Sequence, residues 1–163
     1  MGTGRRQQPG GKKEALCSIE RTLDIVGDRW TLLVLRQVLL YRHTRFADFV
    51  KVLGIAPNTL TSRLDTLVEA GILEKRPYRD DGARQRYEYH PTPAGEDLLA
   101  VLATLQQWGD NHVAPQGGPT ALRRTAEGDR PVSVAFVDDA GRCVPRQDVV
   151  FVPSPAALTD RQV

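Results

Sequence analysis

Residues 57–70 constrain the fold of this chain more than any other segment. Pro57 suits the first turn of a helix, where its missing N–H leaves no bond unmade, and Gly71 is typical of a helix C-terminus. One side of the segment carries a narrow apolar stripe of leucines: Leu60, Leu64 and Leu67. The opposite side, at ~100° per residue, carries short polar groups: Asn58, Ser62, Asp65 and Glu69, flanked by Thr59, Thr61 and Thr66. The pattern predicts a helix that is anchored on one side and presents hydrogen-bonding groups on the other.

A β-hairpin is predicted directly after this helix. Two short segments rich in β-formers, ILEKRPY and RQRYEYH, are separated by RDDGA, in which Asp81-Gly82 is a hairpin-turn signal. Pro77 cannot donate to a ladder from a central strand, so we expect an edge or a two-stranded ribbon. Arg79 and Arg84 bracket the tip of this hairpin.

Helical patterns before and after these elements complete the order α-α-α-α-β-β-α. The first helix carries apolar residues at helical spacing: Leu16, Ile19, Leu23 and Val26. Asp28 suits the N-cap of the second, whose segment WTLLVLRQVLLY is apolar nearly all round and therefore predicts a buried central helix. A short third helix around Phe46 and Phe49 closes at Gly54, and Thr92-Pro93 is typical of the start of a longer last helix. The fold class is α+β, mostly α: a winged helix-turn-helix with the hairpin as its wing.

The chain divides by composition into four parts. Residues 1–13 are Gly-, Gln- and charge-rich and predict a disordered basic arm. Residues 14–113 form the winged helix-turn-helix domain, and the Pro- and Gly-rich residues 114–130 predict a linker. Residues 131–163 predict a small β-hairpin extension and tail, since Val132, Val134 and Phe136 alternate and a turn signal separates them from a second apolar run, DVVFV.

Composition excludes several classes of protein. The formal net charge of +2 does not by itself argue for nucleic acid, although basic residues concentrate between residues 42 and 86. The chain lacks an apolar run long enough to span a membrane and the apolar stretch of a signal peptide, so we expect a cytoplasmic protein. Two distant cysteines offer neither a disulfide scaffold nor a set of metal ligands, and no cofactor is expected. The three histidines are scattered and no catalytic motif is present, so we expect no enzyme.

A short helix, a tight turn and a helix with a polar outer face are the parts of a DNA-reading helix-turn-helix. Major-groove base edges offer donors and acceptors that Asn, Ser, Thr and Arg can match. The candidate DNA contacts are Arg45, Asn58, Thr59, Thr61, Ser62, Arg63, Arg79 and Arg84. Ala56 is a poor N-cap, which leaves backbone N–H groups able to bind a phosphate. The alternative is a winged helix that binds another protein instead of specific DNA, because Asp65 and Glu69 make the far half of the helix acidic.

Three segments of the chain together resemble the HxlR-type regulators, a branch of the MarR-like winged helices: CSIERTLDIVGDRW, RFADFVKVLGIAPNTLTSRLDTLVEAGILEK and YEYHPTPAGEDLLAVLATLQQWGD. The likeness covers about residues 16–112. Two departures are Ser18, where the family usually has Pro, and Asp28-Arg29, where it usually has Gly-Lys.

The resemblance implies a transcriptional regulator, expected to be a repressor, that binds double-stranded DNA as a homodimer through helices 15–26 and 93–112. The recognition helix would be residues 57–70 and the wing residues 72–90. Arg63 would either contact a phosphate or anchor the helix. Two-fold symmetry predicts a near-palindromic operator with half-sites about one helical turn apart, or a multiple of it.

The signal that releases the DNA would be an oxidant or a small hydrophobic or electrophilic effector. In some members of the family the cysteine at the position of Cys17 senses oxidants; the alternative is a small buried apolar residue beside Leu16 and Ile19. Candidate pocket residues are Trp30, Trp108 and Phe136, with simple core packing as the alternative. The segment around Cys143 resembles a zinc-ribbon-like hairpin of some relatives, here expected to be metal-free because one cysteine is left.

Overall fold

The computed structural model describes residues 17–80, 84–113 and 116–154. Its elements follow one another as α1 (Ser18–Val26), α2 (Arg29–Tyr41), α3 (Phe46–Leu53), α4 (Pro57–Glu69), β1 (Leu73–Tyr78), β2 (Arg86–Pro91), α5 (Pro93–His112), β3 (Phe136–Val137) and β4 (Cys143–Val144), with a 3-10 turn at Arg146–Asp148. The predicted basic arm, the Asp81-Gly82 turn and the end of the tail lie outside the described residues. The predicted element order and the mostly helical winged-helix fold class are confirmed.

Helix α2 is the centre of the core, as its apolar sequence predicted. The Asp28 carboxylate caps it by accepting hydrogen bonds from the backbone N–H groups of Trp30 and Thr31, at 2.9 and 3.3 Å. The core around it consists of buried apolar residues from every helix and from the wing: Val26, Val34, Leu35, Val38, Leu39, Phe49, Ile55, Leu60, Leu64, Leu67, Ile72, Leu73, Tyr89 and Leu102. The leucine stripe of α4 is fully buried there, which confirms the predicted apolar side of that helix.

The turn between α3 and α4 follows from its glycine. Gly54 caps α3 with φ +62°, a left-handed conformation that glycine adopts at no steric cost. Ile55 then enters the core, and Pro57 opens α4 after Ala56, whose side chain offers no cap. The first backbone N–H groups of α4 therefore have no side-chain acceptor from their own cap.

The wing is a two-stranded antiparallel ribbon, as predicted. Its register runs from Leu73 opposite Pro91 to Tyr78 opposite Arg86. Tyr89 anchors the ribbon, because its ring is buried and meets the Phe49 ring edge-on at 6.5 Å.

A joint fastens the base of the wing to the first turn of α5. Thr92 caps α5 by accepting from the Gly95 N–H at 3.2 Å, and its hydroxyl donates to the Gly71 carbonyl at 2.6 Å. The Thr92 N–H donates to the Ile72 carbonyl at 3.0 Å. Gly95 is buried, and a Cβ there would collide with that same Ile72 carbonyl. The wing and α5 therefore meet through backbone contacts that leave no room for a side chain.

The C-terminal extension differs from its prediction in two respects. The part of the predicted linker that is described packs on α5: the Gln106 side chain donates to the Ala121 carbonyl at 2.6 Å, and Arg123 pairs with Asp110 at 3.1 Å. The hairpin exists, but its second strand is Cys143–Val144 and not DVVFV. The physical reason is local, since Asp138 closes a tight turn by accepting from the Arg142 N–H at 2.9 Å, and Pro145 cannot extend the ladder.

Among the described residues, no helix is long and apolar enough to cross a bilayer.

Candidate nucleic-acid interface

The outer face of α4 is a shallow polar groove. It is lined by Asn58, Thr61, Ser62, Asp65, Thr66 and Glu69. The hydroxyls of Thr61 and Thr66 donate to carbonyls one turn back in their own helix, each at 3.0 Å, so their oxygens face outward as acceptors. Asn58 and Ser62 are exposed, whereas Thr59 is half-buried at the edge of this face. The structure therefore places Asn58, Thr61 and Ser62 on one accessible surface and Thr59 beside it.

Arg63 occupies a different place from the other candidates on α4. Its Nε lies 3.1 Å from the Asp28 carboxylate, and about a third of each side chain is exposed. The pair joins α4 to the N-terminus of α2, although Nε is not aligned for a hydrogen bond. The two roles that the resemblance implied for Arg63, phosphate contact and helix anchoring, both stay predictions.

Lys75 was not among the predicted contacts, yet it changes the charge of the α4 face. Its ammonium lies 2.8 Å from the Asp65 carboxylate, and this hydrogen bond raises the pKa of Lys75. The pair reduces the acidic character of the far half of α4, because the wing neutralises one of its two carboxylates, that of Asp65. Sequence spacing gave no signal for it, since the pair depends on how β1 folds back along α4.

Arg45 is held by the wing instead of standing free. Its guanidinium lies 2.9 Å from the Glu88 carboxylate and over the Tyr78 ring, 4.4 Å from the ring centroid. The hydrogen bond with Arg45 lowers the pKa of Glu88, and the same bond raises the pKa of Arg45. A further bridge joins the backbones of Arg45 and Glu88, so the start of α3 is fastened to β2. About half of the Arg45 side chain remains exposed.

Arg79 and Arg84 lie at the two ends of the wing tip and both are exposed. Residues 81–83 between them lie outside the described part of the chain. Asp80 is exposed beside Arg79, so the tip presents charges of both signs.

In the single chain Cys17 is exposed, at the position before α1. The alternative that it is a small buried apolar residue is therefore wrong there. The expectation failed because α1 begins at Ser18, which leaves the cysteine at the helix end instead of within its apolar side. Arg21, one turn on, donates to the Ser18 hydroxyl at 3.2 Å.

The predicted pocket residues do not line the cavities that the structure shows. Trp30 packs against the core, while 60% of Trp108 and 48% of Phe136 are exposed. Two adjoining cavities lie between α2, α5 and the extension, and other residues line them. No cluster of metal-binding side chains occurs within residues 17–80, 84–113 and 116–154.

Helices α1 and α5 expose a continuous set of large apolar side chains: Ile19, Leu23, Val101, Leu105 and Trp108. All of these except Trp108 line one groove between the two helices. Contiguous exposed apolar surface of this kind marks an interaction site.

Comparison with known proteins gives a consistent result. Residues 25–117 match the family model described as HxlR-like helix-turn-helix. The chain is 38% identical, over 85% of its length and 86% of theirs, to uncharacterised HTH-type transcriptional regulators of Mycobacterium bovis and Mycobacterium tuberculosis. Among solved structures, a candidate transcription factor of Pseudomonas aeruginosa is 41% identical with a TM-score of 0.60, covering 86% of this chain and 94% of its own. The redox regulator HypR in its oxidised form is 26% identical with a TM-score of 0.53, covering 59% of this chain and 97% of its own.

Proposed function

The chain belongs to the HxlR-like helix-turn-helix family of DNA-binding transcriptional regulators, and from that premise we propose that it is a homodimeric repressor of a near-palindromic operator. In this proposal α4 enters the major groove and the wing lies along the backbone. The observation that carries it is the α4 face, where Asn58, Thr61 and Ser62 stand together and exposed above a fully buried leucine stripe. Such a face matches the donors and acceptors of base edges.

Each of the candidate residues has a separate role in this proposal. Asn58 and Ser62 read bases, with Thr59 and Thr61 beside them at the N-terminal half of α4. Arg79 and Arg84 meet phosphates from the wing. Arg45 and Arg63 are positioning residues, since each already pairs with a carboxylate that fixes one element against another.

The exposed apolar sides of α1 and α5 support the homodimer. Leu23 is 58% exposed and Leu105 is 52% exposed in the single chain, and both line the groove between the two helices. A second copy docked there would bury this surface, and an isologous contact gives the two-fold axis that a palindromic operator requires.

The experiment that tests DNA reading is selection from a random duplex library with the full chain, followed by titration of the selected duplex. If the dimer neutralises ~6 phosphates, affinity should fall by about a thousandfold or more between about 50 and 200 mM salt. Asn58→Ala should cost about 1–3 kcal/mol and relax preference at one position of each half-site. Gln147→Ala, an exposed polar residue in the extension, serves as the matched control.

The outcomes separate the proposal from the protein-interaction alternative. If duplex affinity does not change with salt concentration, or if the selection enriches no duplex, the result favours a winged helix that binds another protein. A loss with Asn58→Ala that is equal for all duplexes gives Asn58 a positioning role only. Footprinting on the DNA that flanks the protein's own gene then locates the operator, and transcription from that DNA with and without the protein tests the repressor role.

Release of the operator by oxidation is part of the proposal, supported by the exposure of Cys17. The structural likeness to a redox regulator agrees with this release. An exposed thiol is accessible to oxidants in solution. Diamide should therefore lower the affinity of the wild type for its selected duplex and leave Cys17→Ser unchanged, with Cys143→Ser as the control. An equal response of Cys17→Ser removes this route of release.

A further inference from the structure

Two adjoining cavities lie between α2, α5 and the extension. The larger has a volume of about 540 Å³ and the smaller about 370 Å³. They share four wall residues: Leu40, Tyr41, Gln106 and Ala121. Volumes of this size are those of small-molecule sites.

The extension forms the roof of both cavities and is fastened to α5 by side-chain amides. Gln106 holds the Ala121 carbonyl at 2.6 Å. Gln107 makes two bonds to Val134, accepting from its N–H at 2.8 Å and donating to its carbonyl at 2.9 Å. With the Arg123–Asp110 pair, the roof is therefore an ordered part of the fold that is fixed to α5 at Gln106, Gln107 and Asp110.

The larger cavity has mainly apolar walls and two basic residues. Leucines of α2 and α5 are the commonest residues in its wall, and its charged residues are Arg29 and Arg36. The Nε of Arg36 is inaccessible to solvent and has no hydrogen-bond partner among the described residues. The guanidinium of Arg36 lies over the Tyr41 ring, with its carbon 6.0 Å from the ring centroid. Among the described residues no carboxylate pairs with Arg36, so its charge has no opposite partner there. Because Nε is covered, an anion in the cavity would bind this guanidinium through its terminal nitrogens.

We propose that the larger cavity binds a small amphipathic carboxylic acid, with its carboxylate on Arg36 and its apolar body against Leu32, Leu40 and Leu102. The planar guanidinium fork matches the two oxygens of a carboxylate. The apolar walls disfavour a strongly hydrated anion that lacks an apolar body, because its remaining oxygens would lose their water without a partner.

The position of the cavity connects such a ligand to both parts of the DNA-binding machinery. Arg29 directly follows Asp28, whose carboxylate meets Arg63 of α4. Leu32 and Leu105 line this cavity and also the apolar groove between α1 and α5. That the acid acts as the signal releasing the operator rests on the proposed function, whereas its binding does not.

Calorimetric titration of the full chain without DNA tests the site. The probes are 1-naphthoate and decanoate, each compared with its uncharged alcohol. The acids should bind more tightly than the alcohols. Arg36→Gln should weaken the acids by about tenfold or more, since a charge-assisted pair is lost, and leave the alcohols unchanged. Arg146→Gln, an exposed arginine in the extension, is the matched control and should bind like the wild type.

Three results would overturn the site: neither acid binds, acid and alcohol bind equally, or folded Arg36→Gln binds the acids as well as the wild type does. Circular dichroism establishes whether Arg36→Gln is folded. If it is not, Ala121→Phe, which fills the shared wall from the roof, should abolish acid binding, and unchanged binding would overturn the site.

DNA affinity is measured separately on the selected duplex without ligand. If the chain selects no duplex but binds the acids through Arg36, the ligand site is supported and the proposed function is contradicted. Tight duplex binding with no acid binding does the reverse.

Discussion

The Asp28 side chain performs two tasks that substitution can separate. It caps α2 by accepting from two backbone N–H groups, and it pairs with Arg63 of the recognition helix. Loss of an N-cap costs about 1 kcal/mol, with a range of roughly 0.5–2 kcal/mol. The ion pair is about one-third exposed on each side, so its share is about 0.5 kcal/mol. Asp28→Ala should therefore lower the free energy of unfolding by about 1.5 kcal/mol.

Asp28→Asn distinguishes the two contributions, because asparagine caps a helix about as well as aspartate but carries no charge. We expect it to cost only about 0.5 kcal/mol. Urea unfolding at one fixed protein concentration measures both variants, since dimerisation would make apparent stability depend on concentration. For a chain of this size, Asp28→Ala should also lower Tm by about 3–6 °C.

Two outcomes would contradict these expectations for Asp28. If Asp28→Asn lowers the free energy of unfolding as much as Asp28→Ala does, the helix cap contributes little and the ion pair with Arg63 accounts for the loss. If neither substitution changes stability, the N-terminus of α2 is held by packing alone. Duplex affinity of Asp28→Asn then reports whether the pair with Arg63 sets the angle of α4, because that variant keeps the helix and loses only the charge.

Three further predictions concern other contacts. Gly95→Ala should destabilise the chain by about 1–3 kcal/mol, because the added Cβ would meet the Ile72 carbonyl. This loss should exceed the gain of about 1 kcal/mol that the helix propensity of alanine alone would give. Urea unfolding that shows a more stable variant would mean that the joint can relax. The pKa of Glu88 lies below its ordinary value of 4.5, so its pair with Arg45 stabilises the fold above that pH and is lost as pH falls through the folded pKa. The stability difference between wild type and Glu88→Gln should thus close in acid, and a gap that persists at acid pH would contradict the pairing. Lys75→Met should weaken duplex binding by leaving Asp65 unpaired, and adding Asp65→Asn should restore part of the loss; no restoration would mean that Lys75 itself contacts phosphate.

Local signals in the sequence were sufficient for most of the fold. Pro57, Gly54 and Asp28 each act on the backbone within a few residues, so their effects can be read without knowing what packs nearby. The leucine stripe of α4 has the helical period and is buried completely. For the same reason the polar face of α4, which lies opposite that stripe, could be predicted with its exposed Asn58 and Ser62.

What the sequence did not predict depends on contacts between distant segments. The pairs Lys75–Asp65 and Arg45–Glu88 form only once the wing has folded back on the helices. DVVFV has the composition of a strand. The turn at Asp138 and the proline at position 145 instead limit the strand that pairs with β3 to Cys143–Val144. The aromatic residues predicted to line a pocket were chosen for their size, whereas the cavities are made by leucines and by a roof that composition had marked as linker.

The joint at Thr92 and Gly95 makes α5 a lever. A helix of 20 residues is a rod about 30 Å long, and its first turn is fastened to the backbone of the wing base at Gly71 and Ile72. Tilting such a rod by about 10° displaces one end relative to the other by about 5 Å, which is comparable to the width of a minor groove. If a partner copy holds the C-terminal end of α5, as proposed, a small tilt of the helix would therefore be magnified at the wing, because the joint makes the wing and the first turn of α5 move together. Release of the proposed operator would then need no large rearrangement of the core.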